Sequence, residues 1–163
     1  NISKNNFIIW VHCSSMGEIE QIKPLLKKIK KTKPVTEFVI TFFSNSGFSS
    51  AKKFPDAKII TYLPFDRKKD LNHFIIKIKH KALLLVKNEF WPNLINCVHN
   101  ADIKIFSISS TFRKSQLFFN FFSFGMVSIL KKINCFFVVN ENDKLLLETL
   151  ARSLKQHSES GES

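Results

Sequence analysis

An α/β domain built on a parallel sheet is the fold class this sequence predicts, and three observations predict it. Short β-rich apolar runs recur along the chain. Most are apolar on successive residues rather than on every second one, the pattern of strands buried on both faces. The stretches between them space their apolar residues as helices do. Strand–helix alternation of this kind makes an α/β domain with a parallel sheet and right-handed connections. Its functional loops then lie at the carboxyl ends of the strands.

Taken in order, the predicted strands are Phe7 to Cys13, Phe38 to Phe43, Lys58 to Leu63, Ala82 to Lys87, Ile103 to Ser109 and Cys135 to Asn140. The first predicted helix, Gly17 to Lys31, sets Ile19, Ile22, Leu25, Leu26 and Ile29 on one face and lysines on the other. Phe65 to Lys79 does the same with Leu71, Phe74, Ile75 and Ile78. Trp91 to His99 is shorter and has Pro92 near a first-turn position, where proline's missing N–H is harmless. Gln116 to Lys132 reads as a long apolar helix and Glu141 to Leu154 as a last one. Ser153 to Ser163 is Ser, Glu, Lys, Gln and Gly with almost nothing to bury, and is expected to be a disordered tail.

The chain has 163 residues, one ordinary domain or half of a two-domain protein. A 44% hydrophobic and 23% charged composition excludes a disordered chain, and Gly 4 with Pro 5 excludes a low-complexity one. Phe 18 against Tyr 1, with abundant Lys, Ile and Asn, follows AT-rich codons, so the skew is read first as genome bias. Lys+Arg 25 against Asp+Glu 13 leaves a net charge of +12, which suits an anionic partner. The lysines are scattered over many helices, and no specific nucleic-acid motif occurs. Cys13, Cys97 and Cys135 are far apart, which argues against a disulfide framework or a zinc site. Cys13 and Cys135 end or begin apolar runs and are expected to be buried and inert. His73, His80 and His99 read as isolated surface or helix residues, with no ligand spacing and so no metal. No apolar run is long enough to cross a membrane. GxGxxG, Walker A, HExxH and GxSxG are all absent from the sequence.

Residues able to carry chemistry gather at strand–helix junctions. His12-Cys13-Ser14-Ser15-Met16-Gly17-Glu18 joins the first strand to its helix. Ser14 or Ser15 is placed to cap that helix, and Gly17 lets a ligand approach the backbone. Glu18 has two readings, a carboxylate complementing the helix dipole or a general base in a cleft, and spacing alone favours the dipole. His12 reads as a packed or capping histidine. Lys87-Asn88-Glu89-Phe90-Trp91-Pro92-Asn93 sets an acid, an aromatic and an amide together, either as a helix start or as sugar recognition. Thr41 to Gly47, including Ser46, offers hydroxyls and amides for a helix cap or an anion. Arg113 and Lys114 lie on a loop and are either solvated charge or a phosphate contact. The five phenylalanines of Leu117 to Phe124 are too many for one helix face, which suggests core packing or a membrane interface.

In combination these segments are more specific than any one of them. IIWVHCSSMGE, TFFSNSGF, YLPFD, VKNEFWPN, SSTFRKSQLFF and FFVVNEND, in that order, resemble the 3-deoxy-D-manno-octulosonic acid (Kdo) transferase family of lipopolysaccharide core synthesis. The match runs from Phe7 to about Leu150, and is most like the Bacteroidetes-type members with TFFS, EFWPN and FRxxQxFF forms. The resemblance implies the N-terminal half of a GT-B glycosyltransferase, with residues 1–152 as its acceptor-binding domain, a Rossmann-like parallel sheet with flanking helices, and 153–163 as a polar tail. It implies an inverting, metal-independent transfer of Kdo from CMP-Kdo to a lipid A precursor, with no other cofactor.

Carried over by motif, the resemblance makes Glu18 the catalytic base and so reverses the reading from spacing. It gives acceptor binding to Ser15, Gly17, Ser46, Glu89, Trp91, Asn93 and Arg113. The implied partners are the lipid A precursor, an anionic membrane surface and a C-terminal donor-binding domain absent from this sequence. The implied location is the cytoplasmic face of the bacterial inner membrane. A membrane-anchoring segment ahead of the first strand is also missing, and Ser109-Ser110-Thr111 stands where many members have Asn-Ala-Arg. The chain alone is therefore expected to be inactive. The competing expectation is a non-catalytic remnant that binds anions or a membrane surface.

Overall fold

A computed structural model describes residues 7–44, 54–112 and 124–149. The chain alternates β1 (Phe7–Cys13), α1 (Met16–Thr32), β2 (Thr36–Phe42), β3 (Ala57–Tyr62), α2 (Lys68–Ile78), β4 (Ala82–Val86), α3 (Pro92–Asn100), β5 (Lys104–Ser110), α4 (Phe124–Leu130) and β6 (Cys135–Val138). A last helix, α5, spans 141–149. The six strands form one sheet in the order β3-β2-β1-β4-β5-β6, and every pair is parallel. This is the predicted Rossmann-like α/β architecture.

Burial along each strand follows its place in the sheet. β1 and β4 are central, and apart from Phe7 at the sheet's entry all their residues are buried. They need apolar residues at successive positions because helices cover both faces. β3 and β6 are the edges, and both are partly exposed along their length. One face packs Ile9, Val11, Phe38, Ile40, Leu84 and Val86 against Ile19, Ile22 and Leu26 of α1. The other packs Ile8, Trp10, Val39, Leu83, Leu85 and Ile105 against α2, α3 and α4. The loops after β1 and β4 therefore leave neighbouring strands toward opposite faces, and the crevice between them lies at the carboxyl end of the sheet.

Two expectations are corrected. Cys135 is exposed, because it opens the edge strand β6 instead of sitting in a central one; Cys13 is buried as expected, and so is Cys97. His80 is not a surface residue. It follows Lys79, which adopts a left-handed backbone (φ 47°) as α2 ends. The ring then tucks beneath Trp10, edge to face at 5.0 Å, and is only 3% exposed. β2 starts two residues earlier than expected, at Thr36, and α2 three later, at Lys68. The first part of the predicted helix 116–132, most of the Phe-rich stretch and the tail 153–163 lie outside the described residues.

Candidate functional site

The site forms where β1, β2 and β4 end together. β1 delivers His12 and Cys13, both fully buried, and the chain then turns through Ser14 and Ser15 into α1. Ser15 occupies the N-cap position with extended backbone, but its hydroxyl makes no capping bond. Glu18, in the first turn of α1, reaches back instead, and its Oε2 accepts the Ser14 backbone N–H at 2.6 Å. This is the carboxylate half of a capping box, taken up one residue before the cap. It leaves Glu18 only 7% exposed and locks its side chain against the turn. Gly17 is exposed, and a Cβ there would meet nothing within 4 Å, so the mouth of the turn is open beside that carboxylate.

The turn is braced from β2. Ser44 donates to the Ser14 carbonyl through both its hydroxyl (2.7 Å) and its backbone N–H (3.3 Å). Thr41, on the neighbouring strand, stands opposite His12 in the β1–β2 register.

From β4 the chain passes through Lys87, held in the left-handed region (φ 59°), to Glu89. Asn88 fixes this turn by a two-way clasp: its Nδ2 donates to the Thr111 carbonyl at 2.5 Å, and its Oδ1 accepts the Thr111 N–H at 3.1 Å. Glu89 Oε2 accepts the Trp91 indole N–H at 2.8 Å and lies 3.7 Å from Nε2 of His12. Burial pushes the Glu89 carboxyl up, but its interactions with His12, Ser14 and Trp91 and the His12 charge outweigh it and hold the group below its ordinary value. Burial also drives the Cys13 thiol well above its ordinary range, and the Glu18 and Glu89 carboxylates raise it further. Both acids thus bear on the same buried thiol at the end of β1, and that thiol stays protonated and unreactive.

Asn93 faces a different task from the one its motif suggests. Its Nδ2 donates to the Asp66 carbonyl at 2.7 Å. Asp66 in turn caps α3: Oδ1 accepts the Leu94 N–H at 2.9 Å and Oδ2 the Asn93 N–H at 3.3 Å. Together they clip the loop after β3 to the start of α3, just behind Trp91. An Asp ahead of a helix reads as a cap for that helix; here it caps a later one through Asn93, 27 residues further on, which local patterning cannot show.

Aromatic side chains rim the crevice. Phe43, 61% exposed, packs on Trp91 with ring centroids 4.9 Å apart. Tyr62, which ends β3, and Phe65, beyond it, are exposed as well, and the Arg67 guanidinium lies 5.3 Å from the Phe65 ring centre.

The structure thus brings Ser15, Gly17, Glu18, Glu89 and Trp91 to one crevice and sets Asn93 just behind it. Ser46 and Arg113 lie outside the described residues. His12, Thr41, Phe43, Asp66 and Asn88 complete the arrangement and were not singled out as site residues by the sequence. Among the described residues, no group of three His, Cys, Asp or Glu side chains could hold a metal ion.

Residues 1–161 match the family described as 3-deoxy-D-manno-octulosonic-acid transferase (kdotransferase). A bifunctional glycosyltransferase/methyltransferase of Fusobacterium nucleatum is 37% identical over 145 residues, covering 86% of this chain and 22% of that protein. The 3-deoxy-D-manno-octulosonic acid transferase of Haemophilus influenzae is 30% identical over 89 residues, 54% of this chain and 21% of the relative. The chain thus spans between a fifth and a quarter of the curated relatives it matches. In fold it is similar to a UDP-N-acetylglucosamine 2-epimerase, with a TM-score of 0.63 and 12% identity over 89% of this chain and 45% of that one.

Proposed function

The chain belongs to the Kdo transferase family, and from that premise we propose that it is the acceptor-side half of an inverting glycosyltransferase that moves Kdo from CMP-Kdo to a lipid A precursor. One observation carries this reading: Glu18, from the first turn of α1, and Glu89, from the loop after β4, converge at the carboxyl end of the sheet about Cys13. In the proposed reaction the acceptor hydroxyl attacks the anomeric carbon of Kdo. The new C–O bond forms on the face opposite the phosphate, and CMP leaves with the electrons of the bond that breaks. The hydroxyl proton passes to Glu18, whose Oε2 is tied to Ser14 N–H and whose other oxygen is left for the incoming proton. Glu89 and Trp91 hold the acceptor, with Ser15 and Gly17 at the mouth of the turn and Asn93 keeping the loop behind Trp91 in place.

The exposed aromatics Phe43, Tyr62 and Phe65 and the charge of +12 support an amphipathic, anionic acceptor met at the cytoplasmic face of the inner membrane. No helix among the described residues is long and apolar enough to cross a membrane. The nucleotide sugar would be held by a further domain, so the chain alone is expected not to turn over. A metal-independent course is supported by the use both acids make of protein donors: an amide N–H for Glu18, an indole N–H for Glu89.

The test is Kdo transfer by the longest reading frame that contains this chain. Glu18→Gln keeps the shape and removes the base, so kcat falls by about 10²–10⁴-fold. Wild-type turnover by Glu18→Gln refutes the assignment of the base. Transfer by the 163-residue chain alone refutes the division of labour between halves.

A further inference from the structure

We propose that His12 is a positioning residue for Glu89, the last link of a buried hydrogen-bond chain that runs from Trp10 through Thr41 and fixes which oxygen of the Glu89 carboxylate is presented to the acceptor. The proposal rests on the acceptor role given to Glu89 above.

The direction of the chain follows from what each group is able to donate. An indole nitrogen only donates, so the 2.8 Å contact from Trp10 Nε1 to Thr41 Oγ1 makes that hydroxyl an acceptor. Thr41 must then send its own proton elsewhere. His12 Nδ1 is 3.0 Å away and the Val11 carbonyl 3.5 Å, so the ring nitrogen is the better-placed acceptor. An Nδ1 that accepts leaves the proton of a neutral imidazole on Nε2, and Nε2 is the atom that faces Glu89 Oε2 at 3.7 Å. The other arrangement has Nδ1–H donating to the Thr41 carbonyl at 3.2 Å. A neutral ring would then aim the Nε2 lone pair at a carboxylate, so this arrangement holds together only for a protonated ring. In both, Nε2 carries a proton toward Glu89.

Both rings that address Glu89, His12 and Trp91, fall on Oε2. Ser14 also acts on this carboxylate, and Oε1 is the oxygen that neither ring uses. His12 is itself fully buried, so it does not touch an acceptor and acts only through Glu89. Its Nε2 makes no hydrogen bond at present distance among the described residues. Such contacts are often long before a ligand is bound and tighten when it is. The charged and titratable groups about the ring are Glu89 beyond β4, the Cys13 thiol beside it in β1, and Glu18 from α1, which acts on that same thiol. A packed core histidine would not have one nitrogen tied to a neighbouring strand and the other aimed at an acid across the crevice.

The experiment follows the Glu89 carboxyl of the 163-residue chain by ¹³C NMR titration, with backbone spectra confirming the fold of each variant. In His12→Phe, Glu89 titrates about one unit higher than in wild type, a tenfold change in its proton affinity. His12→Gln, whose amide still offers an N–H, restores part of the shift. Thr41→Val, which cuts the chain one link earlier and keeps the side-chain shape, moves it in the same direction by less and stands in if His12→Phe does not fold. In the longest reading frame containing the chain, His12→Phe raises the acceptor KM about tenfold and changes kcat less, as losing one charge-assisted contact would. If Glu89→Gln raises KM but His12→Phe and Thr41→Val leave both the Glu89 titration and KM unmoved, His12 is core packing and the proposal is overturned. If Glu89 shifts as expected but neither Glu89→Gln nor His12→Phe alters KM, the acceptor role of Glu89 falls, and the role given to His12 falls with it.

Discussion

Lowering the pH from 7 to 5 should destabilise this protein through one buried ring. His80 is 3% exposed, lies edge-on to Trp10, and among the described residues neither ring nitrogen has a hydrogen-bond partner. Burial lowers it from 6.5 to about 4. A histidine whose folded value is depressed is kept neutral by the fold, while the unfolded chain takes up the proton more readily. Stability is therefore greatest above about 6.5, falls as the pH drops toward about 4, and levels off below that. The full difference of about 2.5 units corresponds to about 3 kcal/mol, and the part lost between pH 7 and pH 5 is about 2 kcal/mol. With a urea m-value of about 2 kcal/mol/M, the unfolding midpoint at pH 5 lies about 1 M below that at pH 7. His80→Leu removes the proton acceptor and should flatten this dependence, whatever it does to stability at pH 7. Glu89, held below its ordinary value, loses its contribution only at more acidic pH, as the solution falls through the folded value, so it does not mimic the His80 step. A His80→Leu variant that keeps the wild-type midpoint difference between pH 7 and pH 5 would refute the burial argument.

Two further outcomes follow from the same geometry. Asp66→Ala strips the cap from α3 and frees the Asn93 amide, so the unfolding free energy drops by about 1 kcal/mol, read as a lower urea midpoint with unchanged slope. Of the three cysteines, Cys135 reacts with a thiol reagent in the folded protein, whereas Cys13 and Cys97 react only after unfolding; fast labelling of Cys13 in native buffer would contradict its burial between two carboxylates.

The parallel sheet was legible because its central strands are buried on both faces and so apolar on successive residues, as β4 is throughout and β1 is except at His12. Glu18 and Glu89 were legible as candidates because each stands just past a strand end, where an α/β sheet puts its ligands. Their partners were hidden for definite reasons. Thr41 lies 29 residues from His12, and only strand register brings them opposite. Asp66 caps a helix other than the next one along the chain. His80 looked like an isolated surface or helix residue because a left-handed Lys79 and a ring beneath Trp10 leave no mark in local spacing. Ser15 does take the N-cap position, but its hydroxyl makes no capping bond, and Glu18 accepts the Ser14 N–H one residue earlier. The other misses concern contacts between elements, whose partner is chosen by packing and not by neighbours in the chain.

Topology also explains why the two acids differ. β1 hands its chain to α1 on one face, and β4 hands its chain to α3 on the other, so the crevice between them receives side chains from two loops that never share a helix. Glu18 comes tied to the first turn of its own helix by a backbone N–H. Glu89 comes on a turn with no helix beneath it and is oriented by side-chain rings from β1 and from the start of α3. A hydroxyl and an imidazole buried at the centre of a sheet are costly unless each donor finds an acceptor. Trp10 and Thr41 meet that condition by passing their hydrogen bonds along to His12, whose Nε2 faces Glu89 Oε2 at 3.7 Å. Two carboxylates at one site take different roles when their surroundings differ in this way. In the proposed reaction, Glu89 is held ionised to bind and Glu18 stands on the rigid helix start to receive the proton. Exchanging the acids for amides one at a time should therefore separate the effects: Glu18→Gln acts on kcat, Glu89→Gln on the acceptor KM, and equal effects of both on both constants would contradict the division.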